Sequence, residues 1–181
     1  MSQRSAAQTK ALIIQEFLHL VETGHKPPKV ADLCRAAGIS RSTFYFYYQD
    51  ATAVLDELED DFLAHTPFML FSGNREALRS QLQESIAYVH ANRRVFCVLY
   101  EQGRLTDKVL DKSERFMAMR AGSDSPTQGL VTAYCCTGTY RVVYDWLSKG
   151  LALSEDQVVG ILLELLVNAN RANRALTSQE V

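Results

Sequence analysis

Val30-Ala31-Asp32-Leu33-Cys34-Arg35-Ala36-Ala37-Gly38-Ile39-Ser40-Arg41-Ser42-Thr43-Phe44-Tyr45-Phe46-Tyr47-Tyr48 reads as two short helices joined by a tight turn. The first, Val30 to Ala37, offers Val30, Leu33 and Cys34 to a core at helical spacing. Ala37 is small enough for close helix approach, and Gly38 tolerates the left-handed backbone such a turn requires. Ile39 plugs the angle between the helices. Ser40 is placed to cap the second helix, which begins at Arg41. Leu33, Ile39, Phe44 and Tyr48 then share one small core. Arg41, Ser42, Thr43, Tyr45, Phe46 and Tyr47 are left at or near the outer face of the second helix. A major groove about 12 Å wide accepts a helix presented in this way, with its N-terminal residues toward base edges.

Outward from this stretch, the apolar spacing is helical throughout. A helix over about Gln8–Thr23 carries Leu12, Phe17, Leu20 and Val21, thickened by Ile13 and Ile14, and Gly24 is the expected residue just past its end. Asp50 is the expected cap of a fourth helix bearing Val54, Leu55, Leu58, Phe62 and Leu63. Further helices are expected at 75–91, 93–102, 105–120, 127–148 and 155–175. No window alternates between hairpin turns, so the fold class is all-α with about nine helices. The division expected is residues 1–50 as the helix-turn-helix domain and 51–181 as a helical effector-binding and dimerisation domain. The last two helices are apolar on most of their circumference. Such helices must be covered on all sides, and a partner subunit is the simplest cover.

The run Gly38 to Asp50, followed by Val54-Leu55, resembles the DNA-binding signature of TetR-family transcriptional regulators. Residues 8–63 match that family's first four helices. The remainder matches in helix pattern and in a Trp146-Leu-Ser-Lys-Gly150 turn similar to one subgroup. The resemblance implies a homodimer bound to double-stranded DNA at a pseudo-palindromic operator, controlled by a small-molecule effector held in the C-terminal body, and most often a repressor. It places Arg41, Ser42 and Thr43, behind Ser40, at the start of the recognition helix, where base and phosphate contacts are made. Tyr45 and Tyr47 fall at later contact positions, and Lys29 at the start of the preceding helix, within reach of phosphate. Three departures stand out. Phe46 sits where many members carry a basic or polar residue, Ala51 where many carry a phosphate-gripping Lys, and Pro28-Lys29 where a small-hydroxyl pair usually caps the second helix. Each missing cationic contact flattens the salt dependence of binding by roughly 0.9 in log–log slope. These departures keep a second reading open, a TetR-like ligand-binding or protein-interaction module with weak or lost specific DNA binding.

The C-terminal two-thirds carries many large side chains, Phe68, Met69, Phe71, Phe116 and Met117 among them. Mixed aromatic and Met surfaces with a few polar tips are what small-molecule pockets look like. The ligand candidates are Phe62, Tyr88, Phe96, Tyr100, Tyr134, Thr137, Arg141 and Tyr144, with His90, Arg93 or Glu101 facing them. Arg141 and the tyrosines suit a neutral or mildly acidic amphipathic compound. Val158, Ile161, Leu162, Leu165 and Leu166 of the last helix are the candidate dimer interface. Paired with part of the 127–148 helix and their symmetry mates, they make a four-helix bundle. On this reading Leu162→Glu or Leu166→Glu splits the dimer.

Composition bounds the alternatives. The 181 residues carry a formal net charge of −2. Residues 1–50 hold six basic and four acidic groups, and the rest 13 and 17, an asymmetry of the right sign for an N-terminal nucleic-acid reader. No apolar run is long enough to span a membrane, and the polar start Met1 to Ser5 is no signal core, so a cytoplasmic location is expected. Cys34, Cys97, Cys135 and Cys136 show no metal spacing and read as small buried hydrophobes. A redox role for the vicinal pair is the alternative, although adjacent helical residues point about 100° apart. Metal and cofactor motifs are absent, as are a phosphate loop and a nucleophile elbow, so an enzyme is not expected.

Overall fold

The computed structural model describes residues 5–24, 27–66, 74–105, 108, 111 and 126–177. Eight helices lie among them: α1 (Ala6–Gly24), α2 (Val30–Ala37), α3 (Arg41–Tyr47), α4 (Ala51–His65), α5 (Arg75–Ala91), α6 (Arg93–Glu101), α7 (Pro126–Ser148) and α8 (Glu155–Thr177). No strand occurs among the described residues. The helix expected over 105–120 falls largely outside them, as do Phe68, Met69, Phe71, Phe116 and Met117. The chain divides into two compact units, Met1–Phe62 and Leu63–Val181, later than the boundary drawn at residue 50.

In the first unit, α1 buries Thr9, Ile13, Phe17 and Val21, a run at i, i+4 spacing that lies along one side of a helix. Ile13 is therefore central, whereas Leu12 and Leu20, expected in the stripe, are only half-buried. Gly24 is the last residue of α1 and is not among the glycines with positive φ, so it is no left-handed cap. Gly38 is one: φ +61° and ψ +40° turn the chain after α2, and its N–H donates to the Arg35 carbonyl at 3.3 Å. Ser40 caps α3, its Oγ accepting from the Thr43 N–H at 3.0 Å. Asp50 Oδ1 accepts from the Ala53 N–H at 2.9 Å and starts α4. Leu33, Phe44 and Tyr48 are buried together with Val54, Leu55, Leu58 and Phe62 of α4, while Ile39 is half-buried. Lys10 bridges outward from α1, 2.7 Å from the Glu57 carboxylate and 5.6 Å from the centre of the Tyr48 ring.

In the second unit, α5 packs along α8, α8 along α7, and α7 along α6. The buried seam of α5 is Leu78, Leu82, Ile86 and Val89. That of α8 is Val158, Val159, Leu162, Leu163 and Leu166. Two exposed pairs tie the rim: Arg75 with Glu164, and His90 Nδ1 with Glu155 Oε1 at 2.6 Å. Exposed pairs of this kind contribute little, so the apolar seam carries the stability. Gly150, φ +59°, ends α7, and the Trp146 indole N–H donates to the Leu153 carbonyl at 3.0 Å, pinning the turn that follows.

The expected dimer set splits into two groups. Val158, Leu162 and Leu166 are each at most 2% exposed and packed inside their own subunit, so Leu162→Glu or Leu166→Glu strikes the core and not a partner surface. Ile161 and Leu165, one turn apart, are 42% and 47% exposed. The helix has two apolar sides, and the inward one is already covered by α5 and α7.

Candidate nucleic-acid interface and cavity

The outer side of α3 is set by a small number of local bonds. Ser40 Oγ lies 2.8 Å from both Ser42 Oγ and Thr43 Oγ1, so one hydroxyl cluster holds the first turn. Phe44 is the only buried residue of this seven-residue helix and anchors it inward. Its ring meets Tyr45 edge-on at 5.7 Å and Tyr48 at 5.8 Å. Arg41, Ser42, Tyr45 and Phe46 are exposed, and Thr43 and Tyr47 half-buried. Arg35 on α2 is held by Asp32 at 3.1 Å, but Arg41 pairs with no carboxylate among the described residues. No acidic side chain lies on α3. Lys29 is exposed at the head of α2; its carbonyl accepts from the Asp32 and Leu33 N–H groups, and its side chain makes no cap bond. Thus Ser40, Arg41, Ser42, Thr43, Tyr45, Phe46 and Tyr47 form one continuous segment, with Lys29 on the preceding helix. Ala51, where the resemblance would place a Lys, is 8% exposed and packed at the start of α4.

The second unit holds a partly open cavity of about 60 Å³. Leu82, Ile86, Val89, Phe96, Val143 and Leu162 form its apolar wall; Thr66, Gln81, Ser85, Thr139 and Tyr140 are its polar groups. No charged side chain lines it among the described residues. Of the eight ligand candidates only Phe96 is on this wall. Tyr100 stacks on Tyr144 at 4.4 Å, beyond Phe96, and Tyr88 stacks on His65 at 5.1 Å. The Tyr144 hydroxyl donates to Glu101 at 2.7 Å; that bond, helped by burial, pushes its pKa up to about 12. Arg141 is exposed and paired with Asp145 at 3.1 Å, and Thr137 donates to its own helix at the Ala133 carbonyl. Tyr134 is 65% exposed, and Phe62 is a core residue of the first unit. The polar lining that sequence reading missed had one visible signal: Gln81 and Ser85, a polar i, i+4 pair beside the Leu82–Ile86 seam.

A second depression, of about 90 Å³, lies between α7 and α8. Tyr134, Gly138 and Val142 line it from α7, and Leu162, Leu165 and Leu166 from α8. Tyr134 and Leu165 meet on its wall. Leu130 and Tyr134, one turn apart on α7, are 75% and 65% exposed, and Ile161 and Leu165 are the exposed apolar residues of α8.

The four cysteines form no disulfide. Cys34, Cys135 and Cys136 are buried and Cys97 half-buried. Burial, with Cys136 alongside, pushes the Cys135 thiol up to about 11, which leaves almost no thiolate near neutral pH. With iodoacetamide at pH 8, mass spectrometry is expected to find Cys97 alkylated first and the other three only after denaturation. Fast labelling of Cys135 in the folded protein would contradict this burial.

No protein-family model matches the sequence, and no curated protein matches it. Solved structures share its fold. A TetR-like transcriptional regulator from Rhodococcus sp. RHA1 aligns over 93% of this chain and 99% of its own, with TM-score 0.66 and 18% identity. A TetR-family transcriptional regulator from Streptomyces coelicolor aligns over 96% and 85%, with TM-score 0.66 and 15% identity. NalD of Pseudomonas aeruginosa, the secondary repressor of the MexAB-OprM multidrug efflux pump, aligns over 91% and 98%, with TM-score 0.61 and 15% identity. The chain therefore has the fold of TetR-type transcriptional regulators. No helix among the described residues is long and apolar enough to cross a membrane.

Proposed function

We propose that this chain is a ligand-responsive, DNA-binding transcriptional regulator, a repressor that binds a two-fold operator as a homodimer. The observation that carries the reading is α3. The Gly38 turn and the Ser40 cap fix a short helix that points Phe44 inward and offers Arg41, with no carboxylate partner among the described residues, together with Tyr45 and Phe46 outward. Helix-turn-helix dimers place paired recognition helices in successive major grooves, with half-sites one helical turn apart, ~34–36 Å. The two exposed apolar pairs, Leu130 with Tyr134 and Ile161 with Leu165, supply the self-complementary face such a dimer needs.

The part of the effector that enters the cavity is uncharged. A charged group inserted among the described α5–α7–α8 lining residues would meet no countercharge, and an unpaired buried charge is strongly disfavoured. The cavity of about 60 Å³ is smaller than the roughly 150 Å³ apolar void that holds benzene. A larger effector therefore enters only if the wall moves. Preference for the opened form is what lets a ligand shift the protein between two states.

The test is a gel shift with a duplex selected from a random pool. Arg41→Ala and Tyr45→Ala are each expected to weaken specific binding about 10- to 100-fold while leaving the helical spectrum unchanged. Unchanged affinity in both variants would refute the reading. The buried Ala51 and the apolar Phe46 favour a second reading, a module with the same fold and no operator. Purely weak, sequence-blind binding at physiological salt is its signature.

A further inference from the structure

Phe46 carries a narrower role, which rests on the DNA-binding reading. It is 80% exposed, the most exposed large apolar side chain among the described residues, whereas Phe44, two positions earlier, is fully buried. Two residues along a helix is a rotation of about 200°, so α3 sends one phenyl ring inward and the other directly outward. The outward ring is held, because it packs edge-on against the half-buried Tyr47 at 5.1 Å and 87°. The helix that carries it suits a polyanion: Arg41 is exposed at its start, and α3 bears no acidic residue. A phenyl ring can neither donate to phosphate nor hydrogen-bond a base edge. The apolar feature that a major groove offers is the C5-methyl group of thymine.

We propose that Phe46 reads thymine, one T·A pair in each half-site, by packing on that methyl group. Phe46 then sets sequence preference without adding a phosphate contact.

The experiment uses the full-length protein and a duplex selected from a random pool. Each thymine in turn is replaced by uracil, which removes only the methyl group. One position per half-site is expected to cost about fivefold in affinity, the scale of one buried methyl group, and about 25-fold when both are replaced. Phe46→Ala is expected to weaken the thymine duplex by a similar factor, to abolish discrimination at those positions, and to leave the salt slope unchanged. If uracil is tolerated at every position while Arg41→Ala still weakens binding, the methyl contact is refuted and the DNA-binding reading stands. If the pool yields no preferred duplex, both fall together. A changed melting temperature in Phe46→Ala does not rescue the proposal, since the uracil series uses the unmodified protein.

Discussion

A chain carrying Ile161→Glu together with Leu165→Glu is expected to sediment as a monomer at micromolar concentration and to lose about 10²- to 10⁴-fold in affinity for a two-half-site operator. Both side chains are 42–47% exposed in the isolated subunit, so charges placed there remain solvated and the subunit keeps its fold. In a dimer formed on this face, four carboxylates would be driven into a contact that includes exposed apolar side chains, each losing water on association. The affinity loss follows from linkage: a second recognition helix tied to the first binds as an intramolecular event, and a monomer forfeits that effective concentration. Leu162→Glu makes the informative contrast. At 1% exposure its carboxylate would lie inside the subunit's own core, so the expected result is lost helicity, not a clean monomer. Sedimentation and circular dichroism on the two variants separate the cases. A double variant that stays dimeric with a native melt would place the two-fold axis elsewhere.

The contrast also explains what sequence could and could not reveal. The helix-turn-helix was legible because each boundary is decided within a few residues: Gly38 supplies the left-handed turn, Ser40 and Asp50 cap, and Phe44 and Leu33 sit at core spacing. The second unit is decided by partners far away in sequence. On α7 the sequence offers two stripes of large residues. One runs through Tyr134, Thr137, Arg141 and Tyr144, the other through Cys136, Thr139, Tyr140 and Val143. At about 100° per residue they lie roughly 130° apart. Local pattern does not say which one meets α5. The structure turns Thr139, Tyr140 and Val143 of the second stripe toward the cavity and leaves the first at the rim, where Arg141 and Tyr144 find Asp145 and Glu101. On α8 the same ambiguity merged Val158, Leu162 and Leu166 with Ile161 and Leu165. An apolar helix declares that it is covered, but not which side its own chain covers.

Phe44→Ala is expected to destabilise the first unit strongly, and to abolish specific DNA binding without touching a contact surface. Phe44 is fully buried and is the only residue of α3 that is. A seven-residue helix has too few internal bonds to persist alone, so its place depends on this ring and on the Ser40 cap. Large-to-small truncation of a buried Phe costs about 3–5 kcal/mol, because the transfer term and the remaining cavity add. At ~0.05–0.15 kcal/mol per residue, a unit ending at Phe62 has only about 3–9 kcal/mol in total. Removing Phe44 therefore takes a large share of that unit's stability and frees α3 before the rest of the chain melts. Hydrogen exchange is the direct measurement: amides across 30–48 should lose protection, while those of α5 and α8 keep theirs. Phe46→Ala, two positions away on the same helix, should leave exchange unchanged and alter only base preference. If Phe44→Ala retains both protection and operator affinity, α3 is not held by its inward ring, and the physical basis for presenting Arg41, Tyr45 and Phe46 to DNA disappears.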